Sequence, residues 1–425
     1  MTEQPRRWHE ELFTRKMLIC VFTGFSSGLP LYLLLQLVPA WLRTEQVDLK
    51  AIGAFALIQF PYTWKFIWSP LLDRFNLPWL GRRRGWMLVW QLALLLSIPL
   101  FGLLRPTLDL WTIAWLAAAV AFFSASQDIV LDAYRREILS DEELGLGNSV
   151  HVNAYRIAGL IPGSLSLILA DHLPWSSVFV ITALFMLPGL VMTLLVDEPK
   201  LLTAAPRTLR AAVVEPFREF ITRQGWRAAA LILAFIFLYK LGDSMATALA
   251  TPFYLDMGFS KSQIGLVAKN AGLWPAVFGG LLGGIWMIKL GINRALWLFG
   301  VVQVVSILGF AWLSLNGPYP QIDAGHLAML AVVIGFEALG VGLGTAAFTA
   351  YIARTTHPAY TATQFALFTS LAAVPRTLIN ATTGYIVDYT GWFNFFLLCT
   401  LLALPGMVLL LKVAPWNDPA HKTQS

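Results

Sequence analysis

Long apolar runs alternate with short polar breaks from one end of this chain to the other. Twelve of the runs are long enough to cross a bilayer as helices, near residues 17–42, 50–72, 84–104, 109–136, 148–171, 175–197, 226–254, 261–289, 293–316, 324–351, 360–387 and 391–413. The pattern predicts an all-α membrane protein. The longest polar interruption lies between the sixth and seventh runs, where Leu209, Val213, Phe217 and Phe220 recur at helical spacing among Arg210, Arg218, Glu219 and Arg223. Pro216 is expected to split that stretch into two short helices lying on the membrane surface as a tether. The chain therefore divides into an N-terminal bundle (1–197), an amphipathic linker (198–225) and a C-terminal bundle (226–425).

The two halves echo each other. Gly53 corresponds to Gly265 at an offset of 212, and Ala133-Tyr134 corresponds to Ala350-Tyr351 at an offset of 217. Asp171-His-Leu-Pro-Trp175 and Asp388-Tyr-Thr-Gly-Trp392 repeat the offset of 217. Matches in the same order at a common offset imply a parallel repeat of six plus six spans. Such repeats build the major facilitator fold, with the transport site between the halves near the bilayer midplane.

Composition agrees: of 425 residues 57% are hydrophobic and only 13% charged, against roughly 25% charged in a soluble domain. The first apolar run covers about 26 residues and contains Pro30 and Pro39, so it is read as a span and not as a cleavable signal. Cys20 and Cys399 both fall in apolar runs, which makes them small core residues and not a disulfide or a metal pair. The net charge of +6 has a topological explanation that needs no nucleic acid partner. With both termini on the cytoplasmic side, 21 of the 30 Lys and Arg residues lie on that side, 4 on the other and 5 within spans. That asymmetry places both termini in the cytoplasm by the positive-inside rule.

Nine charges fall well inside the predicted spans, away from their ends: Lys65, Asp128, Asp132, Arg156, Lys240, Asp243, Lys269, Glu337 and Arg376. Facing lipid, each would cost about 3 kcal/mol, together more than the ~5–15 kcal/mol that holds a fold. They are expected to face an aqueous interior. Asp128 and Asp132, four residues apart, share one helical face. Burial favours the protonated form of a carboxylate and a neighbouring cation the ionised form. The pair is the first candidate for proton coupling, with Arg156 as a switching cation. Glu337, among Gly335, Gly340, Gly342 and Gly344, is the corresponding acid of the tenth span. Lys240 and Asp243 sit three apart and are able to satisfy each other.

Gln59, Tyr62, Trp64 and Lys65 group on the second span, and Lys269, Asn270 and Trp274 on the eighth. Amide, ring and cation on two repeat-related spans suit a ligand with sugar faces and carboxylates. With Arg156, Lys240, Asp243 and Arg376 they form the candidate substrate site. The loop after the second span carries Asp73-Arg74 and then Arg82, Arg83 and Arg84, an acid and an arginine cluster resembling the gating motif of major facilitators. Asp73 argues for more than topogenic charge, because an acid there can pair across the interface between halves. The second-half equivalent, Lys289-Leu-Gly-Ile-Asn-Arg294, lacks the acid.

Several of these stretches together resemble the AmpG-type muropeptide permeases. They are Gly24-Phe-Ser-Ser-Gly-Leu-Pro30, Asp48-Leu-Lys-Ala-Ile-Gly53, Lys65-Phe-Ile-Trp-Ser-Pro70 with Asp73-Arg74, Gly81-Arg-Arg-Arg-Gly-Trp86, Ser124-Ala-Ser-Gln-Asp-Ile-Val-Leu-Asp-Ala133 and, more weakly, Tyr155-Arg156. The resemblance covers the first half strongly and the second mainly by architecture. It implies an inner-membrane importer of N-acetylglucosaminyl-1,6-anhydro-N-acetylmuramyl peptides that uses the proton gradient and no other cofactor. Its products would feed cell-wall recycling and β-lactamase induction, and a monomer in membrane lipid is expected. Some members of that family have further C-terminal spans, whereas this pattern has twelve. A transporter of another large anionic solute, such as acetyl-coenzyme A, is the alternative the superfamily resemblance leaves open. An embedded enzyme is disfavoured: His151, His172, His326 and His357 fall near span ends and are expected at the surface, and no metal-ligand spacing occurs.

Overall fold

The computed structural model describes residues 13–47, 60–77, 80–199, 209–259, 263–379 and 382–417. Among them nine helices are long and apolar enough to cross a membrane. They account for the predicted spans as follows. Arg15–Leu42, Arg82–Leu103, Leu110–Ile138, Leu144–Ala170 and Trp175–Leu195 are the first, third, fourth, fifth and sixth, and Trp226–Ala248 and Ala324–Thr355 the seventh and tenth. One continuous stretch, Leu266–Asn316, joins the eighth and ninth. It turns at Gly291, whose φ of 73° an L side chain rarely adopts. Thr383–Val413 likewise turns at Gly391 (φ 75°), joining the end of the eleventh span, which starts with Thr361–Leu378, to the twelfth. The described part of the second span consists of two short helices, Phe60–Trp64 and Ser69–Arg74, with one 3₁₀ turn at Lys65–Ile67 between them.

The helices approach closely where glycine allows it, as membrane bundles require. A Cβ on Gly24 would collide with the His151 carbonyl, and one on Gly28 with the Tyr155 carbonyl, so the first and fifth spans touch backbone to backbone. Gly342 makes the same contact with the Ala276 carbonyl between the tenth and eighth. Asp323 caps the tenth span by accepting from the His326 N–H at 2.8 Å, which holds its carboxyl below the usual range. Cys20 and Cys399 are buried and form no disulfide.

The linker departs from expectation. Leu209–Gln224 is one helix with Pro216 inside it, not two. A proline deletes one backbone bond and crowds one carbonyl; here the helix is held from outside. Tyr360 Oη donates to Glu215 (2.8 Å), and Gln364 Nε2 donates to both Glu219 (2.7 Å) and the Pro216 carbonyl (2.9 Å).

Two compact units emerge. The first comprises Met1–Ser140, Val150–Glu219 and Thr356–Ser370; the second comprises Asp141–Ser149, Phe220–Thr355 and Leu371–Ser425. Each unit is therefore built on one repeat and also contains the start of the other repeat's fifth span. Within the first unit one apolar cluster centres on Trp41, Phe101 and Phe179, and another packs Leu72, Met87 and Tyr134 against Ala362 and Ala366. The second unit's core is built around Phe253, Phe310 and Phe396.

Candidate functional site

The fourth span brings its acids into the first unit. Asp128 is 8% exposed and accepts a 2.6 Å hydrogen bond from Ser27 Oγ on the first span. One turn on, Asp132 is held by Arg135 Nη2 at 2.8 Å and by Lys65 Nζ at 3.8 Å. Lys65 is carried inward by the 3₁₀ turn in the second span and is itself buried. Neighbours are fixed too: Gln127 Nε2 donates to the Ser26 carbonyl (2.8 Å) and Trp68 Nε1 to Ser126 Oγ (3.0 Å). Two carboxylates and two cations thus meet across two spans, with formal charges that balance, and the first span adds the Ser27 hydroxyl.

His151 joins them, which corrects the expectation of a surface histidine. It is 5% exposed, with Nδ1 3.1 Å from Thr23 Oγ1 and Nε2 4.0 Å from Asp132 Oδ1. The physical reason is the glycine contact: Gly24 lets the first span press on the His151 backbone, so a residue near the start of the fifth span is covered. His172 is exposed, and His326 and His357 are partly so.

At one end of the bundle the loop between the second and third spans forms a buried ionic cluster. Arg83, fully buried, bridges Asp73 Oδ1 (2.9 Å) and Glu137 Oε1 (2.6 Å), and Arg82 adds a 2.8 Å bond to Glu137. The other Asp73 oxygen accepts from both the backbone N–H (2.8 Å) and the hydroxyl (2.7 Å) of Thr363, at the start of the eleventh span. A carboxylate there also meets the positive end of that helix. Arg84 plays another part: its guanidinium donates to the Thr193 and Leu194 carbonyls that end the sixth span. Glu198 in turn accepts from the backbone N–H groups of Arg83 and Arg84, capping the third span behind Gly81 (φ 87°). Arg74 lies over the Phe75 ring.

The second repeat reuses the positions with other chemistry. Where Glu137 ends the fourth span, Arg354 ends the tenth, and it donates to Asn293. Lys240 and Asp243 pair at 3.2 Å. Beside them a cavity of ≈ 10 Å³, about one water in size, is lined by Tyr239, Asp243 and Gln303. Glu337 is buried in the tenth span.

Of the residues proposed to bind substrate, Tyr62 packs partly buried against the first core cluster, and Trp64 is 40% exposed between Phe60 and Phe66. Arg156 is partly buried in the fifth span. Asn270 donates to the Leu266 carbonyl, and Trp274 is 55% exposed. Gln59 and the side chains of Lys269 and Arg376 lie outside the described residues. The structure thus groups Asp128, Asp132 and Lys65, and separately Asp73, Arg82 and Arg83. Sequence reasoning missed Ser27, Thr23, Arg135, His151, Glu137, Glu198 and Thr363. Arg135, three residues after Asp132, was the legible one.

A doubled six-span pattern with buried intramembrane charges and an acid–arginine loop defines a multi-pass transporter of the major facilitator type, and residues 17–378 match the Major Facilitator Superfamily model. Two solved structures share the fold: the human organic anion transporter MFSD10 (TETRAN), with TM-score 0.71 at 16% identity over 96% of this chain and 100% of that one, and the proton:xylose symporter XylE, with TM-score 0.65 at 10% identity over 94% of each. In sequence, the anhydromuropeptide permease of Escherichia coli K12 is 42% identical over 395 residues, 92% of this chain and 78% of that one. An uncharacterised protein of Haemophilus influenzae is 53% identical over 417 residues, 98% of each. The chain belongs to the AmpG-type permease family of the Major Facilitator Superfamily.

Proposed function

We propose that this protein imports anhydromuropeptides, GlcNAc-1,6-anhydro-MurNAc with or without its peptide, from periplasm to cytoplasm across a bacterial inner membrane. The observation that carries this reading is the 42% identity over 92% of the chain with a relative named as an anhydromuropeptide permease. The site chemistry supports it. Such a substrate brings peptide carboxylates, for which Lys65, Arg156, Lys240, Lys269 and Arg376 are the cations. It also brings sugar rings, for whose C–H faces Tyr62, Trp64 and Trp274 are flat partners, with Gln59, Asn270 and Asp243 as polar contacts.

Transport is driven by the proton gradient, with Asp128 and Asp132 as the coupling acids and Glu337 as their counterpart in the second repeat. A balanced cluster that takes up one proton becomes net positive, and an anionic substrate restores the balance. Access alternates between the two sides of the membrane, and the bond from Thr363 to Asp73, with the Arg82–Arg83–Glu137 cluster behind it, opens and closes one side. Arg74 and Arg84 steady the same loop. Both termini face the cytoplasm, and the protein works as a monomer. Competition uptake tests the substrate. Unlabelled anhydromuropeptide should displace labelled anhydromuropeptide from vesicles, whereas acetyl-coenzyme A should not. The reverse order would favour the other large anion.

A further inference from the structure

A buried hydroxyl, that of Thr23, meets the His151 ring at Nδ1. The hydroxyl lies 3.1 Å from the Cys20 carbonyl, to which it donates, and 3.1 Å from His151 Nδ1, toward which it offers lone pairs while the Cys20 bond is made. In that arrangement Nδ1 carries the hydrogen. In a neutral ring Nε2 is then a bare acceptor, and it points at another acceptor, Asp132 Oδ1, 4.0 Å away. Two lone pairs facing each other at a buried position repel; a proton between them turns the contact into a charge-assisted hydrogen bond.

The charged groups facing this point come from each span packed on it. Asp132 and Arg135 come from the fourth, with Asp128 a turn away, and Lys65 comes from the second; the first contributes only the uncharged Thr23 and Ser27. Arg135 and Lys65 already serve Asp132. A cationic imidazole added to that carboxylate competes with them, and Lys65, at 3.8 Å, is the looser of the two.

We propose that His151 is the proton-carrying partner of Asp132: a proton bound to Nε2 pairs with the Asp132 carboxylate and releases Lys65 to take a carboxylate of the substrate. The step is a proton transfer alone. An N–H bond forms on Nε2 when the site faces the periplasm and breaks when it faces the cytoplasm. The inference rests on the proton-driven import proposed above and gives the proton itself to His151, with Asp132 and Asp128 coupling it to the site as its counter-charges. Proton and substrate then strengthen each other's binding by the same factor, as linkage requires.

The test is the pH dependence of affinity of the purified full-length protein for GlcNAc-1,6-anhydro-MurNAc-tetrapeptide over about pH 6 to 8, read by calorimetry in two buffers of different ionisation enthalpy. With one proton taken up per substrate, log Kd rises with pH at a slope of about one. In His151→Asn, whose amide N–H still reaches Thr23 but which has no base toward Asp132, the slope should fall to about zero, with no buffer-dependent heat. His151→Gln serves if His151→Asn fails to fold. A variant that keeps the wild-type slope and proton uptake overturns the assignment to His151. A wild-type protein with no slope and no response of uptake to an imposed proton gradient overturns the proton-driven reading, and this inference with it.

Discussion

Residue by residue, the cluster around Asp132 is where the proposed proton coupling can be broken. Asp128→Asn keeps an acceptor for Ser27 Oγ and loses only the ability to ionise, so it should insert and fold yet fail to accumulate substrate under an imposed proton gradient. Asp132→Asn should lose accumulation as well. It also takes a partly buried carboxylate from Lys65 and Arg135, a change that costs at most about 3–5 kcal/mol, the figure for fully buried pairs, and its melting temperature in detergent should fall. Full accumulation by both variants would remove these acids from the mechanism. Lys65→Ala should weaken binding about tenfold or more, the worth of one charge-assisted bond; unchanged affinity in calorimetry would leave Lys65 as a partner of Asp132 only. The acids themselves were legible in sequence, because a spacing of four inside an apolar run has one interpretation. Apart from Arg135, their partners were not. Lys65, Ser27 and His151 lie on three other spans, and which of them meets Asp128 or Asp132 depends on helix rotation and approach, which periodicity does not encode. His151 read as a surface residue because it lies near the start of its span, and what covers it is a glycine on a different helix.

At the scale of the element, glycine contacts and end-caps decide how spans meet. Gly28→Ala would drive a methyl group into the Tyr155 carbonyl. The first and fifth spans must then separate, at about the 1–3 kcal/mol typical of overpacking. A lowered melting temperature is the expected outcome; an unchanged one would mean the contact is loose. The latch at the eleventh span can be tested more gently. Thr363→Val removes the hydroxyl bond to Asp73 and leaves the backbone one. It should lower the cost of opening that side by about 1 kcal/mol and raise thiol labelling of a cysteine placed in the loop between the second and third spans. Labelling no faster than in the parent would deny Asp73 a gating part. The acid–arginine pattern showed in the chain, but Glu137 and Thr363, which complete it, belong to the ends of other spans. The linker helix shows the same limit. Pro216 breaks helices on average, yet here Tyr360 and Gln364, far along the chain, hold the helix through it.

For the whole molecule, the hydrophobic pattern carried most of the architecture, since each span must satisfy its backbone internally and so declares itself by length and apolarity. Gly291 and Gly391 mark turns that the runs of apolar residues alone left as polar breaks. The membership of Asp141–Ser149 and Thr356–Ser370 in units built on the opposite repeat was not visible in the chain, because it depends on tertiary contacts. The charge asymmetry predicts orientation: a reporter active only in the cytoplasm should be active when fused to either end, and an inactive one would invert the topology. Above all, the proposed function requires that a proton gradient drive a cell-wall sugar peptide through this protein. The direct measurement is uptake of labelled GlcNAc-1,6-anhydro-MurNAc-tripeptide into vesicles that contain this protein alone, with the interior made alkaline. Accumulation that a protonophore abolishes is the predicted result, and uptake that is absent, or indifferent to the protonophore, would contradict it.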